Sequence, residues 1–298
     1  MPKQYKDIKI IIDKSPHLGY ETNNIPKKIL NLFFIPLLNH LPKDFQKHIK
    51  KTHKSAEEVI NHATSHRAIE ILYKKGTTHA SQNIIQKIMH GVWFNTNNAK
   101  AVRNRLRLVE KELKTAIDHL IATQSKVNIL SIASGSARAI IEVLASVQLP
   151  SNKTITVKFL DKNLEALEYS KDLAKNLPSK YKLEWITDNA SNFPQYYEEQ
   201  EKPDIIEMVG LMDYFHDPWA IRILGLILEK LAPDGVLITA NIVTNSEQRF
   251  VSDVVGWKMI YRTPEDLVDL ALTAGFKSDD IKIICEPLKI HAVLVAKK

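Results

Sequence analysis

The chain has 298 residues, 44% of them apolar and 25% charged, with a formal net charge of +7. That composition belongs to a globular protein and excludes the disordered and collagen-like classes. A lone cysteine, Cys285, rules out a disulfide framework, a CxxC redox centre and a cysteine-rich zinc cluster.

The N-terminal run MPKQYKDIKIIIDKSP lacks the apolar core of a secretory signal. The longest apolar stretch, Ile29 to Leu38, contains Asn31 and Pro36 and is too short to span a bilayer. A soluble protein of cytoplasmic type is expected. Residues 1–126 hold 22 Lys+Arg against 10 Asp+Glu, and residues 127–298 hold 19 against 24. The balances, +12 and −5, point to a front unit over residues 1–125 and a back unit over 126–298 with different work.

Helical punctuation dominates the front. Ile29 to Leu41 reads as a helix bent at Pro36, docked on the domain, lying over an apolar substrate or touching a membrane surface. Ser55 and Glu58 form a capping-box pattern for a helix that runs to Gly76. Thr77 or Thr78 would open a second helix ending near Gly91, and Asn97 or Asn98 a third. That third helix carries Val102, Leu106, Val109, Leu113, Ala116 and Leu120 on one stripe, so it packs along its length. Arg103, Arg105 and Arg107 cluster near its start, calling for an anionic partner, nearby acids or a solvated basic face. His62 and His66 share a helix face, but no carboxylate or cysteine set completes a metal site.

From Val127 the pattern alternates. Strands are expected at 127–133, 154–160, 182–186, 204–209 and 236–242, with helices between them. Asp217 and Pro218 open one helix, and Thr263-Pro264-Glu265-Asp266 another that stops at Gly275. Two last strands, 280–286 and 290–296, are joined by Pro287-Leu288-Lys289, which forces a hairpin and one antiparallel strand. The expectation is an α/β fold, a doubly wound and mostly parallel sheet.

Such a sheet binds ligands beyond the carboxyl ends of its strands. After the first come Ala133-Ser134-Gly135-Ser136-Ala137-Arg138, small residues whose N–H groups can approach a ligand at a helix start, or a plain tight turn. Asp161 ends the second strand, where an acid can accept both hydroxyls of a ribose or simply cap the next helix. Asp188 and Asn189 could bond an adenine edge or serve as turn formers, and Gly210 permits close approach after the fourth strand. The dinucleotide pattern G-x-G-x-x-G is missing.

With ILSIASGSA, FLD, LEKLAPDGVLITANI and the terminal hairpin on the page, residues 125–298 resemble the class I S-adenosylmethionine-dependent methyltransferases. The resemblance implies seven strands in the order 3-2-1-4-5-7-6 under an N-terminal helical cap. It implies that Ser134-Gly135-Ser136, flanked by Ala133, lies against the methionine part of S-adenosyl-L-methionine. Asp161, with Lys162 beside it, would hold the ribose, Asp188 and Asn189 the adenine, and Gly210-Leu211 the wall beside the sulfonium. LSIASGSAR, GLMDYF, GWKMIYR and AVRNRLRLV are further similar to bacterial proteins of hydroxy-fatty-acid methyl ester biosynthesis. Serines and alanine replace other family glycines in the loop.

On the substrate side stand Tyr214 and His216 after the fourth strand, and Trp257, Tyr261 and Arg262 after the fifth. His216 could act as a base or sit at a solvent-facing helix start. Arg262 could grip a carboxylate or pair with Glu265 or Asp266. The leading expectation is methyl transfer to a small molecule, through the carboxylate or hydroxyl of an apolar acid. Methylation of RNA and a non-catalytic, cofactor-binding regulatory role compete with it. Dispersed basic residues without stacking aromatics argue against nucleic acid.

Overall fold

A computed structural model describes residues 8–42, 44–47, 54–76, 91, 93–197 and 201–298. The chain opens with a short strand, β1 (Lys9–Ile12), and a long helix, α1 (Ile25–Asn39). Two short helices, α2 (Lys54–Asn61) and α3 (His66–Tyr73), precede the 27-residue α4 (Asn97–Thr123). Strand and helix then alternate: β2 (Lys126–Ile132), α5 (Arg138–Ser146), β3 (Thr154–Asp161), α6 (Leu164–Ala174), β4 (Tyr181–Thr187), β5 (Ile205–Val209), α7 (Asp217–Lys230), β6 (Val236–Ile242). A π-helical turn, Phe250–Val255, leads to α8 (Pro264–Thr273) and the hairpin β7 (Ile281–Cys285) and β8 (His291–Lys297).

The sheet has eight strands, not seven, in the order β1-β7-β8-β6-β5-β2-β3-β4. The additional strand is β1, which lies parallel to β7 at the edge. Its sequence, Lys9-Ile10-Ile11-Ile12, is a β-branched run inside a region otherwise read as helical. Only β8 runs against its neighbours β6 and β7. Its first residue, His291, therefore sits beside Ile242, the last of β6, at the end of the sheet where parallel strands finish.

Both faces are covered. One carries α4, α5 and α6, where Leu108, Leu113 and Ile117 share a core with Val127, Ile129 and Ile155. The other carries α7 and α8, with Leu224, Ile227 and Leu267 on Ile206 and Leu294. A third cluster joins α2 and α3 to the π-helical turn through Val59, Ala68, Phe250 and Val254.

Several local expectations change. The helix expected from Ser55 to Gly76 is broken between α2 and α3, where Thr64 takes a left-handed φ of 74°. Ser55 lies inside α2 with a buried hydroxyl, so it caps nothing. Pro36 lies inside α1, which continues past it to Asn39. The helix expected from Thr77 or Thr78 lies outside the described residues except for its terminal Gly91. Thr96, not an asparagine, caps α4 by accepting the Ala99 N–H. The stripe of α4 is rotated: Val109, Leu113 and Leu120 are buried, but Val102, Leu106 and Ala116 are only half so. Polar Arg103, Asn104, Arg105 and Glu112 take their places on the buried face.

Candidate active site

The loop after β2 is shaped by its backbone. Ala133, Gly135 and Ala137 adopt φ of 53°, 54° and 52°, a left-handed alternation that glycine takes most readily. Substitution of alanine at two of these positions keeps the conformation at a cost in strain. Ser134 N–H donates to Leu160 O at 3.0 Å and Ala137 N–H to Ser134 O at 2.7 Å. Asp161 accepts from Gly135 N–H (2.8 Å) with one oxygen and from Asn163 N–H (2.8 Å) with the other. A single carboxylate thus ties together the loops after β2 and β3.

Beyond these strand ends opens one cavity of about 740 Å³, a size suited to a small ligand. Ala133, Ser134, Gly135 and Ser136 line it, as do Asp161 and Lys162. Asn189, Gly210, Leu211 and Tyr214 also line it, so ten of the fourteen expected site residues meet at one place. Gly210 has φ 91°, and a Cβ there would face open space. The chamber continues among apolar residues that include Val59, Ile69, Leu72, Phe250, Val255 and Trp257.

Asp188, His216, Tyr261 and Arg262 lie outside this lining. Asp188 is consumed by its own turn, accepting from Asn189 N–H (2.7 Å), Asn192 (2.9 Å), Gln195 (3.0 Å) and Tyr196 (2.5 Å). These bonds, led by Tyr196, hold its carboxyl below the ordinary range. His216 is the exposed N-cap of α7, one position ahead of the expected Asp217. Arg262 is 3% exposed and binds neither Glu265 nor Asp266. Its guanidinium donates to Asp217 (2.8 Å), Met212 O (2.9 Å), Asn241 (2.8 Å) and Phe215 O, an internal clamp with no reach to a substrate. Tyr261 packs beside Ala101, Ile242 and Ile290, and burial pushes its phenol upward. Trp257 is not on a helix with Tyr261; it donates to the Tyr214 hydroxyl at 2.7 Å. Burial raises the Tyr214 phenol to about 12 against that bond.

Several lining residues carry no motif. Arg105, 5% exposed, faces Asp213 at 3.9 Å and rests against Tyr73. Asp213 accepts from Ile242 N–H at 2.7 Å, and burial raises its carboxyl. His66 lies against the glycine loop, with its Cβ 3.8 Å from where a Gly135 Cβ would stand, and burial lowers its imidazole. His291 is 2% exposed, and burial depresses its imidazole well below the usual value. Among the described residues, nine buried side-chain atoms lack a hydrogen-bond partner, and six of them line this cavity. They are Ser134 Oγ, His66 Nδ1, Trp93 Nε1, Arg105 Nε and both ring nitrogens of His291. Each unmet group costs roughly 1–3 kcal/mol, so their concentration in one place marks where a ligand or solvent satisfies them. Sequence offered one signal for Arg105, the cationic cluster at a helix start, but it could not separate it from its neighbours. Arg103 instead pairs with Glu21 in two bonds (2.5 and 3.0 Å), and Arg107 donates to Gly19 O.

Solved structures share this architecture. A protein from Bordetella parapertussis described as a possible exported protein is 14% identical, with a TM-score of 0.62 over 80% of both chains. Magnesium protoporphyrin IX methyltransferase (ChlM) from Synechocystis PCC 6803, solved with S-adenosylhomocysteine, is 10% identical, with a TM-score of 0.51 over 74% of this chain and 90% of its own. The CurJ carbon methyltransferase is 15% identical, with a TM-score of 0.53 over 93% and 72%. At such identities the likeness is one of fold, that of the S-adenosylmethionine-dependent methyltransferases. The sequence decides the family: residues 63–298 match the family described as "Putative methyltransferase", and the chain belongs to it. No curated protein matches the sequence.

Proposed function

We propose that the chain binds S-adenosylmethionine at loop 133–137 and transfers its methyl group to an oxygen of a small apolar molecule, a carboxylate or a hydroxyl. One observation carries this reading: a single cavity runs from that loop into an apolar chamber. The residues fit the cofactor. Left-handed Ala133, Gly135 and Ala137 shape the loop that lines the cavity, Ser134 Oγ is buried without a partner, and open space faces Gly210. Asp161 would hold the ribose while keeping Gly135 in place, Asn189 and Ala190 would border the adenine, and Leu211 the sulfonium.

When bound, the cofactor would supply an electrophilic methyl open to in-line attack by a well-placed oxygen, with the thioether as leaving group. The chain's own task is then positioning and exclusion of water. Val59, Leu72, Val255 and Trp257 provide the dry walls for an apolar acid or alcohol. The basic front unit does not favour RNA, because Arg103 and Arg105 are 4% and 5% exposed and face Glu21 and Asp213. The front helices act as the substrate cap in this reading.

Calorimetric titration with S-adenosylmethionine tests it. Binding is expected in the wild type and its loss in Asp161→Ala. A wild-type protein that fails to bind at millimolar cofactor refutes the proposal, and an Asp161→Ala variant with retained affinity refutes the ribose assignment.

A further inference from the structure

The cavity has two polar regions. One, around Ser134, His66 and Asp161, belongs to the cofactor reading. The other surrounds His291, on which no expectation from the sequence fell, and Arg105, for which an anionic partner was one of three readings.

Topology brings these two side chains together. His291 opens the one antiparallel strand, so it lies beside Ile242 at the ligand end of the sheet. Asp213, which follows β5, accepts the N–H of Ile242 and faces Arg105 from the other side. Both ring nitrogens of His291 and Nε of Arg105 are buried without partners, and both residues line the cavity. A neutral imidazole offers one donor and one acceptor, whereas Arg105 offers donors only.

The oxygen that matches this set is one that accepts from Arg105 and donates to His291. A hydroxyl does both, but a carboxylate only accepts. Arg105 also has a counterion already, since Asp213 stands 3.9 Å away, so a second carboxylate here would face a like charge in a dry cavity. Resting on the cofactor reading above, we infer that Arg105 and His291 receive the hydroxyl of an apolar alcohol or phenol, with His291 as the acceptor of its proton. The substrate O–H bond breaks as the O–CH3 bond forms. Its proton passes to an imidazole nitrogen, the electrons of the broken S–CH3 bond stay on sulfur as a neutral thioether, and the imidazolium releases one proton to solvent.

His291 makes no side-chain hydrogen bond, so its replacement removes no internal partner. Three proteins, wild type, His291→Phe and Arg105→Lys, are titrated with 1-naphthol and with 1-naphthoate in the presence of S-adenosylhomocysteine. Binding of naphthol to the wild type at least tenfold tighter than naphthoate is expected, together with a tenfold or greater loss for naphthol in His291→Phe. Methyl transfer to naphthol from labelled S-adenosylmethionine should fall at least 100-fold in the same variant, the scale of a general base. Preference for naphthoate, binding of neither probe, or equal naphthol binding in wild type and His291→Phe each overturns the inference. Cofactor affinity is measured in parallel. Its absence from the wild type would instead remove the reading on which the inference rests, and its retention in both variants isolates the effect to the substrate end.

Discussion

At the scale of single residues, the loop after β2 shows how a conformation outlives the residue type that usually supports it. Ala133 and Ala137 hold φ of 53° and 52°. Left-handed backbone costs a residue with a side chain about 1 kcal/mol, against a smaller entropic gain over glycine. Ala137→Gly is therefore expected to leave stability unchanged or raise it by up to about 1 kcal/mol in urea unfolding. Gly135→Ala should cost about 1 kcal/mol through φ alone, since the new Cβ would meet only His66 at an ordinary 3.8 Å. A loss of several kcal/mol would mean that the loop is packed more tightly than this. Glu207 supports a second test. Burial raises its carboxyl to about 7 although Ser131 Oγ donates to it. Between pH 4.5 and about 7 the folded chain keeps this proton and the unfolded chain gives it up. Stability from this group is thus present in acid and eroded as pH rises, by about 3 kcal/mol. Glu207→Gln does not titrate, and the wild-type-minus-variant difference in unfolding free energy should fall between pH 5 and 7.5. A flat difference contradicts the burial argument.

At the scale of elements, α3 is fastened to α5 by one ion pair. Arg138 donates to Glu70 through Nε (2.9 Å) and Nη2 (2.5 Å), and Tyr169 from α6 adds a third bond at 2.8 Å. Burial alone would raise the Glu70 carboxyl, yet Arg138 and Tyr169 hold it below its ordinary range. Arg138 also pairs with Glu142, so removing Glu70 orphans no charge, whereas removing Arg138 leaves the 5% exposed Glu70 carboxylate buried, which costs about 3–5 kcal/mol, and removing both costs less. Arg138→Met should therefore be more destabilising than the Glu70→Ala/Arg138→Met double variant. Equal losses, or a single-variant loss under 1 kcal/mol, would show that the front helix is held by apolar contact alone. Elements were legible in the sequence where a local pattern decides them. The alternation after Val127 and the Pro287–Lys289 turn are such patterns. So is the Thr263–Asp266 box, whose reciprocal bonds of 3.1 and 2.7 Å are present. The rest depended on partners distant in the chain. β1 exists because β7 offers it an edge, and the stripe of α4 rotates because Arg103 and Arg105 find Glu21 and Asp213. The candidate site divides the same way. Ser134, Gly135, Asp161 and Gly210 are fixed by their positions at strand ends. His291 became visible only when an antiparallel strand carried it back to that edge, and Arg262 was removed from the site by carbonyls 47 and 50 residues away.

At the scale of the molecule, the net charge of +7 gives way to internal pairing at the joint between the front helices and the sheet. Glu70–Arg138 and Asp213–Arg105 lie there, and Glu21–Arg103 pairs within the front part, beside a cavity that holds most of the unmet buried polar atoms among the described residues. The joint is thus the part of the fold with most to gain from a ligand. Any molecule that binds only the folded chain stabilises it by about 2.7 kcal/mol at 100 times its dissociation constant. For a chain of this size that corresponds to roughly 4–6 °C in melting temperature. S-adenosylhomocysteine at that excess should raise the wild-type melting temperature by this amount and leave Asp161→Ala unmoved. An apolar alcohol, held by the far end of the cavity, should still shift Asp161→Ala. The two increments should also add in the wild type, because the cofactor loop and the His291 end share a cavity but no side chain. An Asp161→Ala protein insensitive to both ligands would show instead that the chamber forms only around a bound cofactor, with the front helices closing last.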